Sequence, residues 1–261
     1  MQHIEILRAL RLLRRYAVVL VLGLAFTLAM IARGGRFSTA PGASHSVPFA
    51  AMLAGAAFAG LIVATFLAPA LDNEYKTAAI AFTRPISRVN LALRYFAVDA
   101  LTVVVATLLG LAAALIAVAF AGGLAYLNFD RSVWDIVIVF GAATVMWYGL
   151  IVAAAALFPG RGPMIAGASW AFAFVVSGLL TAPFPAALHA LIVALSYLDP
   201  IVYIGSVGDT SSPHAKAAVS VMFGQSPMSL PGNVRVLLAL ALGALFLTFG
   251  TQLWSKREIP A

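Results

Sequence analysis

Four histidines, nine carboxylates and no cysteine are the acid–base and metal-binding groups of this 261-residue chain. His3, His45, His189 and His214 are scattered and form no H-E-x-x-H pair, so no metal site is expected. Met222 and Met228 offer soft sulfur ligands of the kind copper takes, but two of seven methionines do not make a site. Gly167-Ala168-Ser169-Trp170-Ala171 approaches the G-x-S-x-G elbow, lacks its last glycine, and has no strand-to-helix turn to sit on. The phosphate-binding pattern G-x-x-x-x-G-K-[ST] is missing, and no Gly-Lys pair occurs. No catalytic, cofactor-binding or metal-binding residue is therefore assigned.

The carboxylates are more informative. Asp130 and Asp135 flank Trp134, an ordinary grouping for a membrane–water boundary. Asp99 is different, because it falls about eleven residues into a helix that should begin near Arg88. A charged group at the centre of a spanning helix costs ~2.5–3.5 kcal/mol on insertion scales. Such a group is expected to face a hydrated cytoplasmic vestibule or to pair with a basic neighbour. A role for Asp99 in substrate passage is the matching hypothesis.

The elements that carry these residues follow from composition. The chain is 63% hydrophobic and only 10% charged, with a mean hydropathy of +1.02. Soluble domains run at about 45–50% apolar and about 25% charged, so this is an all-α, polytopic membrane protein. Six stretches are long enough to cross: Tyr16–Ala32, Phe49–Leu71, Tyr95–Phe120, Val133–Leu157, Met164–Ala182 and Val234–Trp254. The first, preceded by Arg8, Arg11, Arg14 and Arg15, has a core too long for a signal peptide and no clear A-x-A site after it. It is expected to stay as a span. Residues 1–261 then form one transmembrane domain.

Pro183-Phe184-Pro185 interrupts the apolar run after the fifth span, and Ala186–Leu198 is too short to cross before Asp199-Pro200. Residues 183–233 are accordingly expected to form a re-entrant or interfacial segment on one face, covered by protein. Six crossings put both termini on one side with Lys76, Arg84, Arg88, Arg94, Arg161, Lys256 and Arg257. That side holds eleven of the sixteen basic residues, and the other holds Arg33, Arg36, Arg131, Lys216 and Arg235. The positive-inside rule places the richer side in the cytoplasm. No basic run exceeds two residues, and no nucleic-acid partner is expected. In residues 1–15, Ile6, Leu7, Leu10 and Leu13 recur at helical spacing, with Glu5, Arg8, Arg11 and Arg15 on another face. Both an interfacial amphipathic helix and a plain charged anchor fit that pattern.

Residues 72–88 are too long for a simple turn. Tyr75, Ala79 and Phe82 fall near one helical face, with Lys76 and Thr83 turned elsewhere. Pro85 should end that short helix, and Ser87 should cap the next by accepting a backbone N–H. The expected object is a short cytoplasmic helix, a hard corner and a long helix entering the membrane. Its bland alternative is a basic anchor with no docking role, but topology alone does not call for Glu74, the apolar face or the Pro-x-Ser corner.

At this point the chain resembles the permease subunits of type-2 ATP-binding-cassette exporters, six-span proteins with a cytoplasmic coupling helix between spans two and three. The residues that carry the resemblance are Glu74, Lys76-Thr77, Ile80–Phe82, Pro85-Ile86-Ser87-Arg88 and Arg94. Lys76 stands where a glycine often precedes the threonine, which leaves the exact start of the helix open. The resemblance implies that Glu74, Tyr75, Lys76, Thr77, Phe82, Arg84, Pro85, Ser87 and Arg88 contact a cytoplasmic ATPase subunit that holds ATP and Mg. It further implies a second copy of this permease and a bacterial inner (plasma) membrane. The membrane component itself needs no cofactor, and its substrate is unassigned. Ala51, Gly55 and Ala59 offer a small-xxx-small seam on helix two, a pattern that arises easily in so alanine-rich a chain. Two rival classes remain: an intramembrane enzyme acting on lipid or peptide, and a non-transporting scaffold or sensor that recruits a partner through the same loop.

Overall fold

The computed structural model describes Leu7, Leu10, Arg14, Ala17 and Val21, and residues 59–67, 87–120, 131–180, 182–206 and 232–256. Every regular element among them is helical. Residues 59–67 form α1, Arg88–Phe120 α2, Arg131–Leu157 α3, Gly162–Leu179 α4, Ala186–Ser196 α5, Pro200–Ser206 α6 and Gly232–Ser255 α7. Among the described residues, four helices are long and apolar enough to cross a bilayer: α2, α3, α4 and α7. They correspond to the last four of the six expected spans. The first expected span and most of the second lie outside the described residues. So does the coupling segment up to Ile86, with Glu74, Tyr75, Lys76, Thr77, Phe82, Arg84 and Pro85.

Burial ranks the four helices. In α3, 72% of the membrane stretch is buried, against 33% in α2, 28% in α4 and 22% in α7. The central helix is therefore α3, and the others surround it and turn apolar side chains such as Leu101, Leu108, Phe174 and Leu237 outward. Outward leucines are the normal consequence of an apolar solvent. Trp147, Met146 and Ile151 of α3 make the core with Leu61 and Leu67 of α1 and Tyr203 of α6.

The relative directions of the helices come from close approaches. Gly243 of α7 lies against Met146 of α3, and Gly250 lies against Val152 and Ala153. Positions rise together on the two helices, so α3 and α7 run parallel. Asp99 of α2 meets Tyr148, and Leu91 and Ala92 meet Trp254. These pairings set α2 antiparallel to α3 and α7. Arg88, Arg94, Arg161 and Lys256 consequently gather at one end of the bundle, with Arg131 and Arg235 at the other.

A four-residue reversal joins α3 to α4. Phe158 N–H still donates to Ala154 O, Pro159 cannot continue the ladder, and Gly160 takes a φ of +78° that a side chain would resist. Pro163 then stands in the first turn of α4, where no N–H is needed. The 11-residue α5 is about 16 Å long, too short to cross.

Candidate functional site

Among the described residues, three polar junctions tie the helices of this apolar bundle to one another. The first lies between α2 and α3. Asp99 is fully buried, and Tyr148 Oη donates to its Oδ2 at 2.6 Å. Phe96, one turn earlier on α2, packs edge-on against the Tyr148 ring, with centroids 6.3 Å apart at 81°. Asp99 is therefore enclosed by protein, and one of its partners is a phenol from the central helix.

The second junction joins α1 to α3. Trp147 Nε1 donates to Thr65 Oγ1 at 3.0 Å, and that hydroxyl donates to Leu61 O at 2.7 Å. All polar atoms of the pair are satisfied in a region where an unsatisfied one is expensive. Gly60, four residues before Ala64, allows the approach: a Cβ there would collide with Thr107 Oγ1 of α2 and touch Thr144 Cγ2 of α3 at 3.6 Å. Thr107 and Thr144 have hydroxyls bonded back to Val103 O and Phe140 O, at 2.9 and 2.8 Å.

The third junction joins the last turn of α4 to the α5–α6 segment that follows it, at the end of the bundle opposite Arg161. Asp199 is completely buried between α5 and α6. Its Oδ1 accepts the Ile201 N–H at 2.8 Å, which makes it the N-cap of α6, with Pro200 at the first helical position. Its Oδ2 accepts from Ser177 Oγ of α4 at 2.6 Å. Burial pushes the carboxyl up from 3.8 to about 6, against the bonds from Ser177, Ile201 and Val202, which favour the ionised form. Tyr203, one turn into α6, is also fully buried, and burial together with Tyr197 pushes its hydroxyl up to about 12.

The remaining sequence-derived positions divide clearly. Ser87 stands immediately before α2, and Asn90 N–H donates to its Oγ at 3.3 Å, the cap that the sequence called for. Arg88 is the first residue of that helix. His189 is exposed on α5. Phe174 is exposed on α4 and stacks on Trp170 at 5.8 Å. Of the small-residue seam proposed on helix two, Ala59 is buried, and Ala51 and Gly55 lie outside the described residues. Among the described residues, no three histidines or carboxylates come together as a metal set.

Sequence reasoning missed Tyr148, Trp147, Thr65, Ser177 and the cap role of Asp199. It also assigned Arg235 only to the charge count of its side, whereas the residue is buried near the start of α7. An aspartate directly before proline is a helix-start signal, and Asp199-Pro200 was legible on that ground. The partners across helices carry no local signal.

The helices and buried polar pairs define an all-helical integral membrane protein. Compared with protein-family models, curated proteins and solved structures, the chain matches none.

Proposed function

We propose that the chain is the membrane-spanning subunit of an exporter driven by a separate ATPase, which docks on residues 74–88. The observation that supports this best is the start of α2. Ser87 caps a 33-residue helix at the bundle end where Arg88, Arg94, Arg161 and Lys256 gather. Within its first dozen residues that helix touches α7 through Leu91, Ala92 and Trp254, and α3 through Asp99 and Tyr148. A displacement applied just before Ser87 is thereby passed to two other spans.

On this reading the basic end is cytoplasmic, both termini lie there, and the membrane is a bacterial plasma membrane. ATP and Mg belong to the partner, because this chain has no phosphate-binding loop. A second copy of the permease completes the path. ATP moves the equilibrium only through its different affinity for the two arrangements of the assembly. The cargo leaves no signature in the sequence.

The test is gentle-detergent purification from the native membrane, with every accompanying chain identified by mass spectrometry. A stoichiometric soluble chain bearing G-x-x-x-x-G-K-[ST] is the expected result. A clean homo-oligomer, under conditions that preserve other complexes, overturns the reading in favour of an enzyme or scaffold. With the partner in hand, reversing Glu74 and Arg88 together should leave the spans folded and separate ATP hydrolysis from transport.

A further inference from the structure

Helix α5 is apolar on every side, and protein covers little of it. Its side chains are hydrocarbon except at His189 and Ser196. Ser196 is buried, and its hydroxyl donates to Val193 O at 2.6 Å. Ala186, Ala187, Leu188, His189, Ala190 and Leu191 are consecutive and all exposed. At about 3.6 residues per turn, that run passes the whole way round the helix. We propose that α5 is immersed in lipid, its partner being the acyl chains of the leaflet at the end of the bundle opposite Arg161.

The exposure pattern separates lipid from the other two covers. Water would meet Leu188 at 43% and Leu191 at 55% exposure, with no polar surface on the helix to offset them. A helix floating at the headgroups keeps a charged or polar face toward water, and His189 is the one exposed polar side chain that α5 has. A docked protein covers a stripe at i, i+3, i+4 and i+7 and leaves the remaining faces alone. On α5 the bare positions are consecutive, so no single docking face meets them all. Fluid hydrocarbon surrounds a helix on all sides.

The lipid-facing surface of the bundle also leads into α5. Met164, Phe174 and Val175 are exposed on the spanning helix α4. The bond from Ser177 in the last turn of α4 to Asp199, just past the end of α5, keeps the short helix beside that surface. The lead-in suits hydrocarbon too: Pro183 and Pro185 have no N–H to leave unsatisfied, and Ala182 N–H donates to Leu179 O at 3.1 Å. His189 N–H donates back to Pro185 O at 2.9 Å. The N–H groups ahead of it have no side-chain cap, so headgroup oxygens or water must meet them, and the Pro185 end lies shallow. This holds whether or not an ATPase docks on residues 74–88.

The chain has no cysteine, so a single introduced thiol reports one position. Leu188→Cys, His189→Cys, Ala190→Cys and Leu191→Cys sample the four sides of α5, with Val175→Cys on α4 as the lipid-facing reference and Lys256→Cys as the aqueous one. Each full-length variant is placed in nanodiscs and either challenged with a charged, membrane-impermeant maleimide or labelled with bimane. All four are expected to react with the maleimide several-fold more slowly than Lys256→Cys. Their bimane emission should fall on exchange into brominated phosphatidylcholine, as it does for Val175→Cys. Reaction of any of the four at the Lys256→Cys rate overturns the proposal in favour of water. A position sealed from both the maleimide and the brominated lipid overturns it in favour of a protein cover, and a disulfide between two copies names that cover as a second copy of this chain.

Discussion

A Cβ placed on Gly149 of α3 would stand 2.8 Å from the carbonyl oxygen of Gly243 in α7. The reverse holds too, since a Cβ on Gly243 would meet the backbone of Met146 at 3.2 Å. One turn pair further along, Gly250 meets Val152 and Ala153 at 2.9 and 3.3 Å. This is a parallel seam in which two backbones touch, the form of packing that apolar solvent leaves available to membrane helices.

The first prediction concerns that seam. Gly149→Ala drives a carbon against backbone, which cannot rotate away, and should cost about 1–3 kcal/mol as overpacking. Gly141→Ala on the same helix meets open space and should be neutral or stabilising by a few tenths of a kcal/mol up to ~1. Thermal unfolding of both variants in mild detergent checks the contrast. Equal melting temperatures would show that the seam does not bear on stability.

The seam also marks where sequence ceases to be informative. Helix breaks were legible because they are local: Pro183-Phe184-Pro185 ends one run, and Ser87 caps the next helix through a residue only three positions away. The α3–α7 contact pairs glycines ninety-odd positions apart, and nothing near either one announces its partner. The sequence search for small residues settled on Ala51, Gly55 and Ala59, since i, i+4 spacing within one helix is visible and spacing across two is not. Asp99 shows the same limit. Its burial cost was evident, but the phenol forty-nine residues downstream that donates to it carries no signal near Asp99.

That phenol gives the second prediction. Tyr148→Phe removes a buried donor and leaves Asp99 Oδ2 without it, at a cost of about 1–3 kcal/mol. Asp99→Leu alone should cost a comparable amount by removing the acceptor of the Tyr148 hydroxyl. The double variant should lose less than the sum, with a coupling of about 0.5–3 kcal/mol. Chemical unfolding of the four proteins in detergent completes the cycle. Strict additivity would mean that the 2.6 Å contact contributes nothing.

Ser87 provides a third. Replacing it with alanine removes the oxygen that accepts the Asn90 N–H, and an N-cap of this type is worth about 1 kcal/mol. Ser87→Asp keeps an acceptor and should recover most of the loss. Amide exchange read by mass spectrometry should rise several-fold at Asn90 and Leu91 in the alanine variant, with the remainder of α2 unchanged. Unchanged exchange at both sites would remove Ser87 as the element that fixes where α2 begins.

The last prediction separates hydrogen bonding from shape at the α1–α3 junction. Thr65→Val preserves volume and branching, so packing against Trp147 is kept while Trp147 Nε1 loses its acceptor. The loss should be about 1–3 kcal/mol, because the indole N–H has no water to turn to inside the bundle. Thr65→Ser retains the oxygen and drops one methyl, which should cost about 1 kcal/mol or less by the usual value of a buried methylene. Tryptophan absorption and near-ultraviolet circular dichroism report the Trp147 environment directly. The valine variant should shift both signals and lower the melting temperature, and the serine variant should leave the spectra in place. Were valine and serine to behave alike, the junction would be held by packing alone, and the 3.0 Å bond would follow from the fold without stabilising it.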